Sequence, residues 1–315
     1  MIDDVVVVGA GVIGLTTAIT LAEDGRRVRV WAREAGTDTV SAVAGALWWP
    51  YRVQPEELVG AWSLASLRVN TGLAERPAET GVRLVPGFMA DTAVAGLGPW
   101  TAEVPGLRDA TAEELPAGYG YGLRARLPLI DMPAHLRYLR WRLEAAGGVV
   151  ERREIRTLAE AGPVVVNCAG IGARELVPDP QVRPVRGQLV IVENPGIEEW
   201  FVAADHASSE TAYIFPQPYG VVLGGTAEED SWDREPDPAT AHAIVERCAR
   251  IRPELAGAKV LGHRVGLRPA RDGGVRLEPE RLPSGTLCVH NYGHGGAGIT
   301  VAWGCAQAAA RLVRT

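Results

Sequence analysis

Val5-Val6-Val7-Val8-Gly9-Ala10-Gly11-Val12-Ile13-Gly14 is the stretch that decides the fold. Four β-branched residues in a row read as a parallel strand buried on both faces. The glycine run follows at once and opens helical spacing over residues 15–23, which ends near Gly25. Val28-Arg29-Val30-Trp31 supplies a second strand. A Gly-x-Gly-x-x-Gly run is weak by itself, but inside a strand, helix, strand unit of about 30 residues it marks a dinucleotide site. Gly9 permits the tight turn, Gly11 lets backbone approach a pyrophosphate, and Gly14 allows close contact of helix and strand. The N–H groups of Val12 and Ile13 then begin a helix whose positive end faces the anion. About 20 residues further on, Glu34 stands where a carboxylate takes ribose hydroxyls, with Arg33 beside it for phosphate or solvent. The first run does not distinguish NAD from FAD.

A second glycine cluster favours FAD. His290-Asn291-Tyr292-Gly293-His294-Gly295-Gly296-Ala297-Gly298-Ile299-Thr300 lies between a strand and the last helix, so another helix N-terminus is stripped of side chains for close contact with a planar ligand. In a flavoprotein such a dipole end stabilises negative charge on the N1/C2 carbonyl edge of the reduced ring. His290 and His294 flank a turn rather than sharing a helix face, and no cysteine or carboxylate joins them, so no metal is expected.

The rest of the chain alternates between two kinds of layer. Helical spacing over 56–75 and strand-like pieces cut by Pro and Gly over 82–122 indicate an inserted β-rich block. Helical spacing at 132–146, a strand at 149–155 and Val164-Val165-Val166-Asn167 return to the nucleotide-binding layer. Residues 187–265 are mostly strands, with one helix opened by Asp237-Pro238, a good cap and first-turn pair. Residues 287–291 and a helix over 299–312 complete the first layer. The expected fold is α/β: a Rossmann-like FAD-binding domain (1–50, 127–182 and 286–315) interleaved with a mostly antiparallel, β-rich substrate-binding domain (51–126 and 183–285).

Composition narrows the partners. With 47% hydrophobic and 22% charged residues, the 315-residue chain is neither disordered, collagen-like nor a coiled coil. A net charge of −6 removes the broad attraction that nucleic acid or an anionic membrane needs, which favours a small-molecule substrate. Lys259 is the one lysine among 32 basic residues, a bias that fits a GC-rich bacterial genome. Cys168, Cys248, Cys288 and Cys305 are scattered without a C-x-x-C pair, which fits a reducing compartment. The charge-free residues 5–22 are interrupted by glycines and threonines and follow Met1-Ile2-Asp3-Asp4 rather than a basic start, so a cytoplasmic location is expected. A homodimer is left open.

In their order and spacing these motifs resemble the D-amino-acid oxidase family of FAD enzymes over essentially the whole chain. The resemblance is carried by VVVVGAGVIGL (5–15), AGALWWPY (44–51), GYGYG (118–122), VVVNCAG (164–170), RPVRGQ (183–188), AYIFPQ (212–217), GLRPAR (266–271) and HNYGHGGAG (290–298). It implies that Arg268 pairs bidentately with the substrate α-carboxylate, a task suited to a planar guanidinium fork. It also implies that Tyr213 donates to the same carboxylate and that the Gly296 carbonyl meets the substrate amine. Thr39, Ser41, Ala44, Gly45, Trp48, Ile155, Ala169, Gly295, Gly296, Ala297, Gly298, Ile299 and Thr300 fall where the family contacts FAD.

The implied reaction is oxidative deamination of neutral or apolar D-amino acids, with hydride passing from Cα to flavin N5 and O2 as final acceptor. D-aspartate oxidation would need another arginine at the pocket wall, and glycine or sarcosine oxidation belongs to more distant relatives. A flavin-binding protein without turnover is disfavoured by Arg268 and Tyr213. Three departures stand out: Ser209 replaces a lid tyrosine of the mammalian enzymes, Trp49 replaces a glutamine, and Arg33-Glu34 shifts the ribose acid by one position.

Overall fold

The computed structural model describes residues 4–50, 53–204 and 210–314. The chain opens with β1 (Asp4–Ala10), α1 (Val12–Glu23), β2 (Arg27–Ala35) and the short α2 (Val40–Val43). Next come α3 (Glu56–Leu73), α4 (Pro77–Thr80), β3 (Val82–Ala90), β4 (Arg108–Asp109) and β5 (Gly122–Ile130). The middle holds α5 (Met132–Ala145), β6 (Val149–Arg152), β7 (Val164–Asn167) and α6 (Ala173–Leu176). Then follow β8 (Val182–Val192), β9 (Trp200–Ala204), β10 (Glu210–Gln217), β11 (Gly220–Thr226) and β12 (Glu228–Glu229). The chain closes with α7 (Pro238–Ile251), β13 (Val260–Arg271), β14 (Arg276–Arg281), β15 (Leu287–Tyr292) and α8 (Gly298–Val313).

The strands form two sheets, giving the α/β architecture expected. The six-stranded sheet has the order β14-β15-β7-β1-β2-β6 and is parallel except at β14. Val5, Val6, Val7 and Val8 are all buried in its middle, the burial that an apolar run without alternation demands. From β1 the chain moves to β2 on one side and later to β7 on the other. The strand order thus reverses beside β1, where a crevice opens over the carboxyl ends of the strands.

The nine-stranded sheet is antiparallel except where β3 runs beside β9. In it β8 pairs with β13 from Val182 to Val192, and with β11 and β12 on its opposite edge. α3 joins the layers by packing on α8 at Gly304, where a Cβ would lie 2.3 Å from the Trp62 backbone.

Some boundaries differ from the sequence pattern. The chain returns to the six-stranded sheet at Arg276, ahead of the expected 286, because β14 pairs with β15 as an edge strand. Pro279 and the exposed Glu278 and Glu280 hid it, yet an edge tolerates both proline and charge. Residues 127–130, expected in the first domain, continue β5 in the nine-stranded sheet. The strand expected over 149–155 stops at Arg152, and Arg153 turns its guanidinium over the Trp31 ring at 3.8 Å. Among the described residues no helix is long and apolar enough to cross a membrane. All four cysteines are buried free thiols.

Candidate active site

The first glycine turn is shaped by contacts that exclude side chains. Gly9 has φ +114°, and a Cβ there would lie 2.4 Å from the carbonyl oxygen of Cys168, the residue that follows neighbouring β7. At Gly14 a Cβ would fall 1.9 Å from the Gly9 carbonyl oxygen, so helix and strand touch through backbone alone. Gly11 caps α1 without a side chain, and Ser41 Oγ accepts from Val12 N–H at 3.0 Å. Helix geometry leaves the N–H groups of Ile13 and Gly14 without an intrahelical acceptor. α8 likewise begins at Ala297 with no side-chain cap.

One cavity of about 2200 Å³ runs between these helix starts, lined by Gly9, Gly11, Glu34, Ser41, Gly296 and Gly298 among others. Ordinary small-ligand pockets hold about 300–1,000 Å³, so this one has room for a dinucleotide together with a substrate. The residues therefore fit FAD. Uncapped N–H groups from two helices offer positive ends, and no side chain blocks the turn.

The other side of the cavity is built by the nine-stranded sheet. β13 carries Arg268, whose guanidinium lies over Gly187 of β8: a Cβ there would fall 2.3 Å from Nη2 and 2.4 Å from Cζ. Arg268 Nη1 donates to the Thr226 carbonyl at 2.9 Å. No carboxylate lies within 4 Å of Arg268 among the described residues, so its charge is not already neutralised by one. β10 carries Tyr213, stacked on Phe215 with centroids 4.7 Å apart. Gly224 and Gly225 make room for its hydroxyl, since Cβ atoms there would sit 2.3 and 2.8 Å from it. Burial pushes the Tyr213 phenol up while the Arg268 guanidinium pulls it down, with burial prevailing. The hydroxyl therefore keeps its proton at neutral pH and is a donor.

Gly296 reaches the same place from the six-stranded side. A Cβ on it would lie 3.4 Å from Arg268 Cδ. Its loop is tied to β13 by Gly295 N–H donating to the Pro269 carbonyl (2.9 Å) and by a bridge between Ala270 and His294. Asp179 secures the neighbourhood, accepting from Arg271 Nε and from the Tyr292 hydroxyl, both at 2.8 Å.

Most residues named from sequence line this cavity: Val12, Ile13, Arg33, Thr39, Ala44, Gly45, Ile155, Ala169, Gly295 and Ile299, besides those above. Gly14, Trp48, Ala297 and Thr300 do not. Gly14 is pressed against Gly9, and Ala297 is buried under the loop. Neighbours along an extended segment point to opposite sides, so Trp48 enters the core and donates its indole N–H to the Ser63 carbonyl (3.1 Å), while Trp49 lines the cavity. Thr300 Oγ1 is spent on the Trp49 backbone, accepting from its N–H at 3.2 Å and donating to its carbonyl at 2.9 Å. Glu34 lies 3.8 Å from Arg33 and 4.0 Å from Arg234. Ser209 lies outside the described residues.

Gly187 and Thr226 were missed from sequence. A glycine inside a strand is a signal of close approach, and RPVRGQ contained it. A carbonyl acceptor on Thr226 leaves no such trace.

The buried Cys168 thiol and His294 imidazole are neutral here. Burial pushes the Cys168 thiol up to about 12, which excludes thiolate chemistry at the cavity wall. Burial lowers His294 to about 3 and, outside the site, His135 to about 4, although His135 Nδ1 is 2.8 Å from the Thr80 carbonyl. In the unfolded chain both return to about 6.5. Their contribution to stability is therefore complete above pH ~6.5 and is lost as pH falls toward the folded values, at about 1.4 kcal/mol per pH unit for each histidine. Thermal melts between about pH 7 and 5 will show the midpoint falling with pH. His135→Gln, which keeps a donor for Thr80, should flatten that slope by about one proton. An equal slope in the variant would contradict the assignment.

Comparison with known proteins agrees with this geometry. The FAD dependent oxidoreductase family matches residues 4–312. The D-amino-acid oxidase of Streptomyces coelicolor is 64% identical over 311 residues, 98% of this chain and 96% of that protein. The D-amino-acid oxidase of Rubrobacter xylanophilus is 53% identical, over 98% of this chain and 94% of that protein. Among solved structures, glycine oxidase from Bacillus cereus superposes with a TM-score of 0.81, covering 99% of this chain and 94% of the other, and at 19% identity it speaks for the fold alone. With its two uncapped helix starts facing one cavity and its whole length matched, this chain belongs to the FAD dependent oxidoreductase family, and its cofactor is FAD.

Proposed function

We propose that the protein oxidises neutral or apolar D-amino acids with O2, yielding the α-keto acid, ammonia and hydrogen peroxide. The observation that carries this reading is the convergence of Arg268, Tyr213 and Gly296 on one wall of the FAD cavity. FAD, when bound, supplies the two-electron oxidant that takes the Cα hydrogen as hydride and passes the electrons to O2. The protein's residues bind and orient. The Arg268 fork matches a carboxylate in two parallel hydrogen bonds. The Tyr213 hydroxyl donates to the same group, and the Gly296 carbonyl accepts from the substrate amine, which reacts in its neutral form with its lone pair free. With carboxylate and amine fixed, only the hydrogen and the side chain remain to be placed, so chirality follows from attachment.

The walls support apolar side chains. Met89, Leu189, Val202 and Phe215 line the cavity and belong to one apolar cluster with Tyr213. The other arginines of β8 and β13 that line the cavity are already paired: Arg183 with Glu229 and Asp272, and Arg271 with Asp179. An acidic side chain finds no unpaired cation in either. A cytoplasmic location belongs to the same reading, supported by four buried thiols without a disulfide.

Anaerobic mixing of the FAD-loaded protein with D- and L-enantiomers tests it. D-Val and D-Ala should bleach the flavin, and air should then release peroxide; L-enantiomers should do neither. Stronger bleaching by D-Asp or sarcosine would move the substrate class, and none with any amino acid would refute the reading.

A further inference from the structure

We infer that Trp100 is a specificity-determining residue: with Trp49 it closes the apolar end of the cavity and limits the size of the substrate side chain. The inference rests on the oxidase reading above. Nothing in the sequence motifs pointed to Trp100, which lies on a 3-10 turn (Pro99–Glu103) in the irregular connection between β3 and β4.

Trp49 is the fixed partner. Both hydrogen-bonding groups of its backbone are held by Thr300, so it cannot withdraw without breaking into the start of α8. Its distance from the carboxylate site is bounded by the chain. A Cβ on Gly45 would touch the Tyr213 ring at 3.4 Å, and Trp49 is four chain steps beyond Gly45, at most about 14 Å of extended backbone. An amino acid anchored at Arg268 with an extended side chain spans much of that distance.

Trp100 closes the corner from the other sheet's connection. Its ring meets Trp49 edge-on at 5.2 Å and 81°, and meets the buried Trp48 at 6.0 Å and 77°. Such edge-to-face pairs are a favoured aromatic geometry. Two glycines fit against it: a Cβ on Gly98 would lie 3.0 Å from Trp100 Cδ1, and one on Gly60 would lie 3.8 Å from its Cβ. Glu103 ties the turn to α3 through Arg68 at 2.6 Å. Trp49 and Trp100 both line the cavity and share the apolar cluster that holds Tyr213. The side chain of a substrate held at Arg268 therefore meets a wall of two indoles, one clamped by hydrogen bonds and one carried by a turn.

The test measures kcat/KM for D-Ala, D-Val, D-Phe and D-Trp with FAD-loaded wild type, Trp100→Ala and Trp100→Phe. Hydrophobic pockets discriminate neighbouring sizes by about 10–200-fold, so Trp100→Ala should raise the D-Trp to D-Ala ratio at least about tenfold, with Trp100→Phe between. Flavin content and thermal midpoint identify a variant that has lost its fold, and Trp100→Phe then carries the test. If all four substrates scale together in both variants, Trp100 is only structural and the inference fails while the oxidase reading stands. If the wild type turns over no D-amino acid, both fail.

Discussion

Arg268→Ala should lower kcat/KM for D-Val and D-Ala by roughly 10²- to 10⁴-fold, the range that follows from the ~3–5 kcal/mol lost when one partner of a desolvated, hydrogen-bonded charge pair is removed. The guanidinium sits half-buried over Gly187 and is already oriented by the Thr226 carbonyl. Truncation leaves Tyr213 as the remaining side-chain donor to the carboxylate, and the substrate loses orientation as well as affinity. Both KM and kcat should therefore suffer. Arg268→Lys should recover only part of the loss, since a point charge restores attraction but not the planar fork. FAD absorbance should be unchanged in both variants, as the proposed role of Arg268 in holding substrate requires. Steady-state peroxide assays decide it, and unchanged kcat/KM in Arg268→Ala would remove this arginine from the site.

Gly14→Ala should cost about 3 kcal/mol or more of stability and abolish retention of FAD. The added methyl would meet the Gly9 carbonyl oxygen at 1.9 Å, and that atom belongs to backbone that cannot rotate aside. Relief requires lifting α1 from β1, which moves the N–H groups of Ile13 and Gly14 away from the pyrophosphate position. Gly14 brings no side chain to the cavity, so the loss of cofactor would come from helix placement. Thermal denaturation and the flavin-to-protein absorbance ratio of the purified variant measure the two effects. A variant that keeps its flavin and its midpoint would show that the contact relaxes easily.

Much of the site was legible because its chemistry is local in the chain. Gly14 must be a glycine for a reason contained within a single turn, its contact with the Gly9 carbonyl, and the positive φ of Gly9 is equally local. Other features resisted. Trp48 and Trp49 are identical side chains side by side, and only the direction of each tells which packs in the core and which faces the cavity. Thr300 was expected at the cofactor from the family resemblance, and its hydroxyl is occupied by the Trp49 backbone, 251 positions away. Trp100 lies in a stretch without periodicity, so its role depends on where an irregular connection comes to rest.

By itself the amino-acid sequence determined the Rossmann-like layer and the two glycine-lined helix starts. These follow from backbone sterics and short-range patterning, which act over a few residues and leave a trace in each stretch. Only the tertiary structure decided that Arg268 lies over Gly187, that Gly296 meets it from the other layer, and that β14 joins the first sheet. Those placements depend on register and packing between segments far apart in the chain, where the energy belongs to pairs of residues and neither member carries the signal alone.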